Sequence, residues 1–210
     1  MAVFFPDFRS RHTLPLSACA LCAVLALLLA PPAYGQQQEI TLEAASSDFD
    51  RRNERLVFQD IRVRQGDIEI SADQAESRDL DFSRGSWLFL GNVRISSPMG
   101  QIESARASVS FTDHRLHKAT AEGSPATFSR TLPEPENRTV TGTANRIVYD
   151  LVEGELELAG KAMLRDGLRE VSGGRLVYRI TEDRLIASTD DEGIDRVRII
   201  ITPPEEDDAP

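Results

Sequence analysis

Hydrophobic and polar residues alternate along most of the chain after residue 39. Every second residue is apolar in segments such as Ile68–Ser71, Val93–Ile95 and Glu155–Leu158. A period of two is typical of a β-strand that turns one face to a core and the other to water. No long stretch has the 3.6-residue period of an amphipathic helix. The pattern therefore predicts an all-β protein with little helix.

The alternation itself recurs, with a period of about 33 residues. Leu56–Val63 resembles Leu88–Ile95, and Gly91 recurs as Gly123 and then, after a proline-containing loop at 132–137, as Gly160. A fixed period of this length predicts tandem strand repeats that stack to bury their apolar faces. The recurring glycine falls where the alternation changes phase, which indicates a β-bulge. A plain turn at a strand end is the alternative.

The first 35 residues have a different pattern. Arg9 and Arg11 precede an apolar run from Leu16 to Ala30, and small residues follow up to Gly35. This order is typical of a secretory signal peptide, and we expect cleavage after Gly35. A retained membrane anchor is the alternative, although the run is shorter than the roughly 20 residues of a membrane span. The predicted organisation is a cleaved signal at 1–35, a β-domain at 36–203 and an acidic disordered tail at 204–210.

Composition narrows the chemistry. The formal net charge is −10, which disfavours nucleic-acid binding because phosphate contacts need a basic face. Both cysteines, Cys19 and Cys22, lie within the signal segment, so no disulfide is expected after cleavage. His114 and His117 lack the partners and the spacing of a metal site. No nucleophile, phosphate or dinucleotide motif is present. We therefore expect neither an enzyme nor a metal or cofactor.

Five short motifs occur in order along the chain: Phe89–Val93, Gly123–Phe128, Val140–Tyr149, Leu158–Ala162 and Gly173–Tyr178. Together they resemble the OstA-like family of lipopolysaccharide transport proteins, to which LptA, LptC and the N-terminal domain of LptD belong. The resemblance spans residues 40–203. Leu56–Glu76 looks like an additional repeat unit ahead of the best-matching region. The resemblance implies a twisted, partly open antiparallel β-jellyroll of about sixteen strands, built from the tandem repeats.

The same resemblance implies a function and partners. It implies a periplasmic bridge protein of a Gram-negative cell, which shields the lipid A acyl chains of lipopolysaccharide in a hydrophobic groove. Such a protein passes lipopolysaccharide from the inner to the outer membrane for outer membrane assembly. The implied partners are an LptC-like inner-membrane protein, an LptD-like outer-membrane protein and further copies of the chain joined end to end. The alternative is a membrane-anchored LptC-type subunit of the export transporter, and the fate of residues 1–35 separates the two.

The large apolar residues of the alternating strands are the candidates to line the groove or to pack its core. They are Phe58, Ile68, Ile70, Leu90, Val93, Ile95, Ile102, Val109, Phe111, Phe128, Tyr149, Leu158, Met163 and Tyr178. The sequence does not separate groove-lining from core positions. The segments 40–44 and 196–202 lie at the two ends of the repeat array. We expect them to be the edge strands through which partners join.

Overall fold

The computed structural model describes residues 39–78, 80, 82–189 and 196–203, so the predicted signal and tail lie outside the described residues. These residues form eleven β-strands and no helix, and thus none that could span a membrane. The all-β prediction is confirmed. The strands are β1 (Ile40–Asp50), β2 (Arg55–Gln65), β3 (Ile68–Ser77), β4 (Arg84–Ser97), β5 (Gly100–Thr112), β6 (Arg115–Thr131), β7 (Thr139–Asp150), β8 (Glu155–Asp166), β9 (Arg169–Arg179), β10 (Arg184–Ser188) and β11 (Arg198–Ile201).

All eleven strands belong to one antiparallel sheet in which sequence neighbours are also sheet neighbours, from β1 to β10. β10 pairs with residues 175–179 of β9, and β11 pairs with residues 169–172 of the same strand. The far edge of β9 is therefore shared by two short strands. Within the described residues, β1 forms one edge of the sheet, and β10 with β11 forms the other. Both expected edge segments lie where the repeat pattern predicted them.

A line of β-bulges crosses the sheet near the middle of its strands. Register shifts occur at Leu90/Val93 in β4, at Glu122/Ala126 in β6 and at Ala159/Ala162 in β8, among others. An extra residue bends and twists the strand that carries it. The bulge expected at the recurring glycine is thus confirmed. The expected change of phase at Gly91 is wrong. It took Leu88 and Leu90 as the buried residues before the glycine, whereas the buried ones are Trp87 and Phe89, which are in phase with Val93 and Ile95 after it.

The bulge line divides the sheet into two parts, which we call half-sheet A and half-sheet B. Half-sheet A carries the β1–β2, β5–β6, β7–β8 and β9–β10 turns and contains β10; half-sheet B carries the β2–β3, β4–β5, β6–β7 and β8–β9 turns and contains β11. Nine strands, β1 to β9, run through the bend without a break. This is why eleven strands are found where the resemblance implied about sixteen.

The inner faces of the two half-sheets pack against each other and form the core. The largest fully buried side chains include Trp87, Phe89 and Leu176 in half-sheet A, and Ile61 and Ile102 in half-sheet B. Contacts cross between the halves: the rings of Phe128 in B and Tyr178 in A lie 6.4 Å apart. Burial of apolar area is the main stabilising term for such a fold, at roughly 25 cal/mol per Å².

Cross-strand ion pairs cover the outer face. Arg64 pairs with Glu69 at 2.7 Å, Arg165 pairs with Glu170 at 2.6 Å, and similar pairs follow on other strands. Exposed pairs of this kind contribute only about 0–1 kcal/mol each. Their main effect is to keep one face of every strand in water, so that the alternation assigns the other face to the interior.

Candidate binding site

The candidate site is the apolar interior between half-sheets A and B. Of the fourteen sequence candidates, twelve point into it, and eleven of these are buried. Ile68 is the half-buried member and packs against the edge of the core. The inward-facing candidates are Phe58, Ile68, Ile70, Val93, Ile95, Ile102, Val109, Phe111, Phe128, Tyr149, Leu158 and Tyr178.

Leu90 and Met163 lie on the outer face instead, where both are half-buried. In β4 the four residues Trp87–Leu90 are all apolar, so both phases of a period-two pattern are satisfied, and the larger aromatic rings take the interior. In β8 the buried neighbours Ala162 and Leu164 flank Met163, which must therefore point outward. The expectation that these two side chains line the interior is corrected.

The sequence candidates did not include several residues that the structure places at the centre of the interior. Trp87 stacks on Phe58 at 5.5 Å and on Phe82 at 5.0 Å between ring centroids. Its indole N–H has no hydrogen-bond partner among the described residues. Ile147 and Leu156 are also fully buried. Pairing the chosen residues with their opposite residues on the neighbouring strand would have identified Leu156, which lies directly across from Tyr149.

Polar contacts join the free ends of half-sheet B to those of half-sheet A along the side opposite the bend. The Gln65 amide donates to the carbonyl of His114, and its oxygen accepts from the Leu116 N–H at 2.9 Å. Ser97 Oγ lies 3.4 Å from the hydroxyl of Tyr149. The Arg130 guanidinium donates to the hydroxyl of Tyr178 at 3.3 Å. We call this row of contacts the seam.

The seam contacts follow one rule. In each of them the end of an even-numbered strand of half-sheet B meets an end of half-sheet A further along the chain. β4 meets β7 and β6 meets β9, three strands on, and β2 meets the turn between β5 and β6 and the start of β6. Gln65, Ser97 and Arg130 occupy equivalent inward-facing positions in their repeats. Near the bend the facing strands are closer together in the strand order. There Gly142 of β7 lies against Leu158 of the next strand, β8, so closely that a Cβ on Gly142 would overlap it. The two half-sheets thus cross each other.

The last seam contact belongs to a charged network at the C-terminal end. Tyr178 donates to Asp183 at 2.7 Å, and Arg138 bridges Asp183 and Asp166. Burial raises the pKa of Tyr178 to about 12, and the hydrogen bond to Asp183 acts in the same direction. The pKa of Asp183 is lowered, chiefly because it accepts this hydrogen bond and one from Arg138. The proton therefore stays on the phenol over the physiological range.

Beside this network lies a pocket of about 240 Å³ between the two half-sheets. Val140, Leu164 and Val171 form its wall in half-sheet B, and Tyr178 and Leu185 form its wall in half-sheet A. Asp166, Arg169 and Asp183 form its polar rim. The apolar interior therefore reaches a pocket at the C-terminal end.

Large apolar side chains are exposed at both ends of the sheet. In β11, Ile199 and Ile201 pair with Val171 and Arg169 and are 62% and 68% exposed. In β1, Phe49 is 53% exposed. Exposed apolar groups on edge strands are typical of surfaces that are covered by a partner.

The part of the chain described by the structure holds no group of three or more His, Cys, Asp or Glu side chains placed to bind a metal ion. His114 lies in the turn between β5 and β6, with a positive φ of 60°, and its carbonyl accepts the Gln65 seam bond. His117 follows in β6. Their positions in the hairpin serve the fold.

A bent antiparallel sheet whose two halves enclose an apolar interior, with exposed strand edges at both ends of the described residues, defines the class of protein: a two-layered, open-edged antiparallel β-protein. The comparison with protein families makes this specific. The family model described as LptA/(LptD N-terminal domain) LPS transport protein matches residues 74–184, more than half of the chain. The chain belongs to this family, and lipopolysaccharide transport is its function at that level.

The matched region begins in β3, so β1 and β2 precede it, as does most of the additional repeat unit at Leu56–Glu76. Among solved structures, the chain is similar to LptH from Pseudomonas aeruginosa, described as the LptA homologous periplasmic component of the lipopolysaccharide transport device. The identity is 17%, the TM-score is 0.44, and the match covers 80% of this chain and 98% of that one. No curated protein matches.

Proposed function

We propose that this protein is a periplasmic bridge that carries lipopolysaccharide from the inner towards the outer membrane with the lipid A acyl chains held between half-sheets A and B. The observation that carries the proposal is the continuous apolar interior, in which residues from every strand between β2 and β9 are buried. Its membership of a lipopolysaccharide transport family supplies the class of lipid.

The energetics explain why such an interior is needed. Each CH₂ group removed from water contributes about 0.8 kcal/mol, so a lipid with several acyl chains cannot cross an aqueous space unshielded. The buried side chains fill the interior themselves. We infer that the two half-sheets separate along the seam to admit lipid, because the bend is a continuous set of strands whereas the seam is a short row of hydrogen bonds.

The cost of opening the seam is modest compared with the gain. Each neutral hydrogen bond contributes a net of about 0.5–1.5 kcal/mol and a bond from the charged Arg130 guanidinium about 1.5–3 kcal/mol, and water can replace them when the ends part. A few buried CH₂ groups offset such a loss. The sugars of the lipid would remain outside in water, along the polar rims of the two halves.

We further propose that copies of the protein join end to end, with an LptC-like protein at one end and an LptD-like protein at the other. The free edge of β11 supports this. The Thr202 N–H donates to Leu168 at 3.0 Å, so the N–H groups of alternate residues, including Ile200, point towards β9. Those of Ile199 and Ile201 then point to the free edge, where a strand of a partner can accept them.

Photo-crosslinking in cells tests the lipid site. A crosslinker at Val109 or Phe128, on the inner face, should capture lipopolysaccharide. The matched controls are Leu90 and Met163, which are apolar and lie on strands of the same sheet but point outward. Capture at the outer positions with none at the inner ones would refute the interior as the lipid site.

Export is tested separately. N-terminal sequencing of the protein recovered from the periplasm should give Gln36 as the first residue. An intact Met1 in the membrane fraction would favour the membrane-anchored LptC-type subunit instead.

A further inference from the structure

One structural unit recurs four times along half-sheet A. In each case an aromatic residue at the end of an odd-numbered strand pairs directly with a leucine on the next strand. The pairs are Phe49–Leu56, Phe111–Leu116, Tyr149–Leu156 and Tyr178–Leu185. All four aromatic side chains point to the inner side of the sheet, because paired residues of an antiparallel ladder share a face.

Three of the four aromatic side chains are covered and one is not. Phe111, Tyr149 and Tyr178 are 2–4% exposed, whereas Phe49 is 53% exposed. Two of the covered rings meet a seam residue from the strand three positions earlier: Ser97 meets Tyr149, and Arg130 meets Tyr178. Phe49 lies on β1, so the described chain has no earlier strand that could cover it.

At the C-terminal end of the sheet, the last strand ends of half-sheet B have no strand of half-sheet A opposite them within the described residues. Ser97 and Arg130 each contact half-sheet A three strands ahead, and Gln65 contacts the β5–β6 hairpin. The next equivalent inward position is Asp166, at the end of β8. No described strand lies three positions beyond β8. Instead, Asp166 and its inward neighbour Leu164 border the 240 Å³ pocket described above.

We propose that this pocket receives the Phe49 side chain of a second copy of the chain. The proposal rests on the end-to-end assembly of the previous subsection and specifies its joint. If β1 of the second copy continues half-sheet A beyond β10, its Phe49 lies beside Leu185, as Tyr178 lies beside Leu156 within one chain. Leu164 of half-sheet B then covers the ring from the other side. The repeat therefore continues across the joint without a gap.

The charges at the joint are complementary. Asp166 in β8 occupies the place that Arg130 has in β6. Arg51 follows Phe49 by two residues, as Ile180 follows Tyr178, so Arg51 occupies the place of Ile180. Arg130 donates to the carbonyl of Ile180 within the chain at 3.0 Å. Between copies, the Asp166 carboxylate, which Arg138 and Arg169 also contact within its own chain, therefore lies on the side that the Arg51 guanidinium approaches. In the free chain the Arg51 guanidinium lies 5.7 Å from the centre of the Phe49 ring, where it can follow the ring into the joint.

Self-association of a Phe49→Ala variant tests the proposal, with Val152→Ala as the matched control. Val152 is 65% exposed and lies in the β7–β8 turn, away from both edges of the sheet. A central aromatic anchor contributes about 2 kcal/mol or more to an interface, so the dissociation constant for self-association should rise roughly thirtyfold or more. Analytical ultracentrifugation over a concentration series measures it, and the control should assemble like the parent protein.

Disulfide trapping tests the direction of the joint. Phe49→Cys and Leu185→Cys are made in separate chains in which Cys19 and Cys22 are replaced by serine. The two proteins are then mixed and oxidised. Heterodimers should exceed either homodimer, and Val152→Cys in place of Phe49→Cys should give none.

Two results would overturn the inference. The first is a Phe49→Ala protein that assembles as well as the parent protein, and the second is a parent protein that stays monomeric at high concentration. Neither result depends on lipid. Crosslinking from Phe128 to lipopolysaccharide that is added to the purified protein therefore reports separately on the proposed carrier function, and we expect it to be the same in the Phe49→Ala chain.

Discussion

Replacement of Gly91 by alanine tests how the bend is built. Gly91 sits at the β4 bulge with φ of +74°, and a Cβ there would overlap the carboxylate of Asp73 on β3. That carboxylate accepts a hydrogen bond of 2.9 Å from the side chain of Asn92. Gly167 is a matched control, because its φ is +58° and a Cβ there meets nothing within 4 Å.

The expected magnitudes follow from these contacts. A left-handed backbone costs a residue with a Cβ about 1–2 kcal/mol, and this should be the whole effect of Gly167→Ala. Gly91→Ala carries the same cost and must also displace Asp73, which breaks a hydrogen bond with a net contribution of about 0.5–1.5 kcal/mol. We therefore expect Gly91→Ala to lower the free energy of unfolding by about 2–3 kcal/mol.

Urea unfolding followed by tryptophan fluorescence provides the assay, since Trp87 is the single tryptophan and is buried in the core. A double-variant cycle with Asp73→Ala isolates the overlap: once the carboxylate is absent, Gly91→Ala should cost no more than Gly167→Ala. Equal losses for Gly91→Ala and Gly167→Ala in the parent background would refute the argument that the close approach of Asp73 matters.

Two further predictions concern the C-terminal end. The raised pKa of Tyr178 makes its neutral form part of the folded state, so stability should fall as the pH rises from about 10 to 12, and the lowered pKa of Asp183 should add a loss as the pH falls below about 4. In thermal melts across pH, Asp183→Asn should reduce the acid loss, to which Asp50, Asp150 and Glu157 also contribute because their pKa values are lowered too. An unchanged profile would contradict the assignment. Ile199→Pro removes an N–H that points to the free edge, so it should leave the fold intact while abolishing self-association. Ile200→Pro should also destabilise the pairing of β11 with β9. Circular dichroism melts measure the stability and light scattering measures the assembly, and an Ile199→Pro protein that still assembles would exclude this edge.

Much of the fold could be predicted from the sequence, because each strand from β1 to β10 pairs with its sequence neighbours. In that topology, period-two alternation and regularly spaced turns are enough to predict the strands and the two edges of the sheet. The recurring Gly91, Gly123 and Gly160 indicated where the strands bulge. The alternation failed where four apolar residues follow one another, as in Trp87–Leu90. There only packing decides which pair turns inward, and the bulky aromatic rings take the interior.

The seam could not be predicted in the same way. Gln65, Ser97 and Arg130 are polar residues at strand ends, and a sequence assigns such residues to solvent. Their contacts lie three or four strands away along the chain, so no local pattern records them. One signal was available: these residues hold the same inward-facing place in successive repeats, as their apolar neighbours Val63, Ile95 and Phe128 do.

The three-strand offset between the half-sheets has a consequence for assembly. The part of each strand in half-sheet B faces a later strand in half-sheet A. The first strand in half-sheet A therefore has an uncovered ring at the N-terminal edge. At the C-terminal edge, the last part of half-sheet B borders an uncovered pocket. The two ends are therefore complementary to each other and not to themselves. Such a contact is heterologous, and heterologous contacts give open chains with one direction unless the rotation between copies closes them into a ring. If copies join head to tail as proposed, the N-terminal and C-terminal ends of the chain differ. The proposed partners at the two membranes must then present different surfaces to it, one a pocket and the other an aromatic edge.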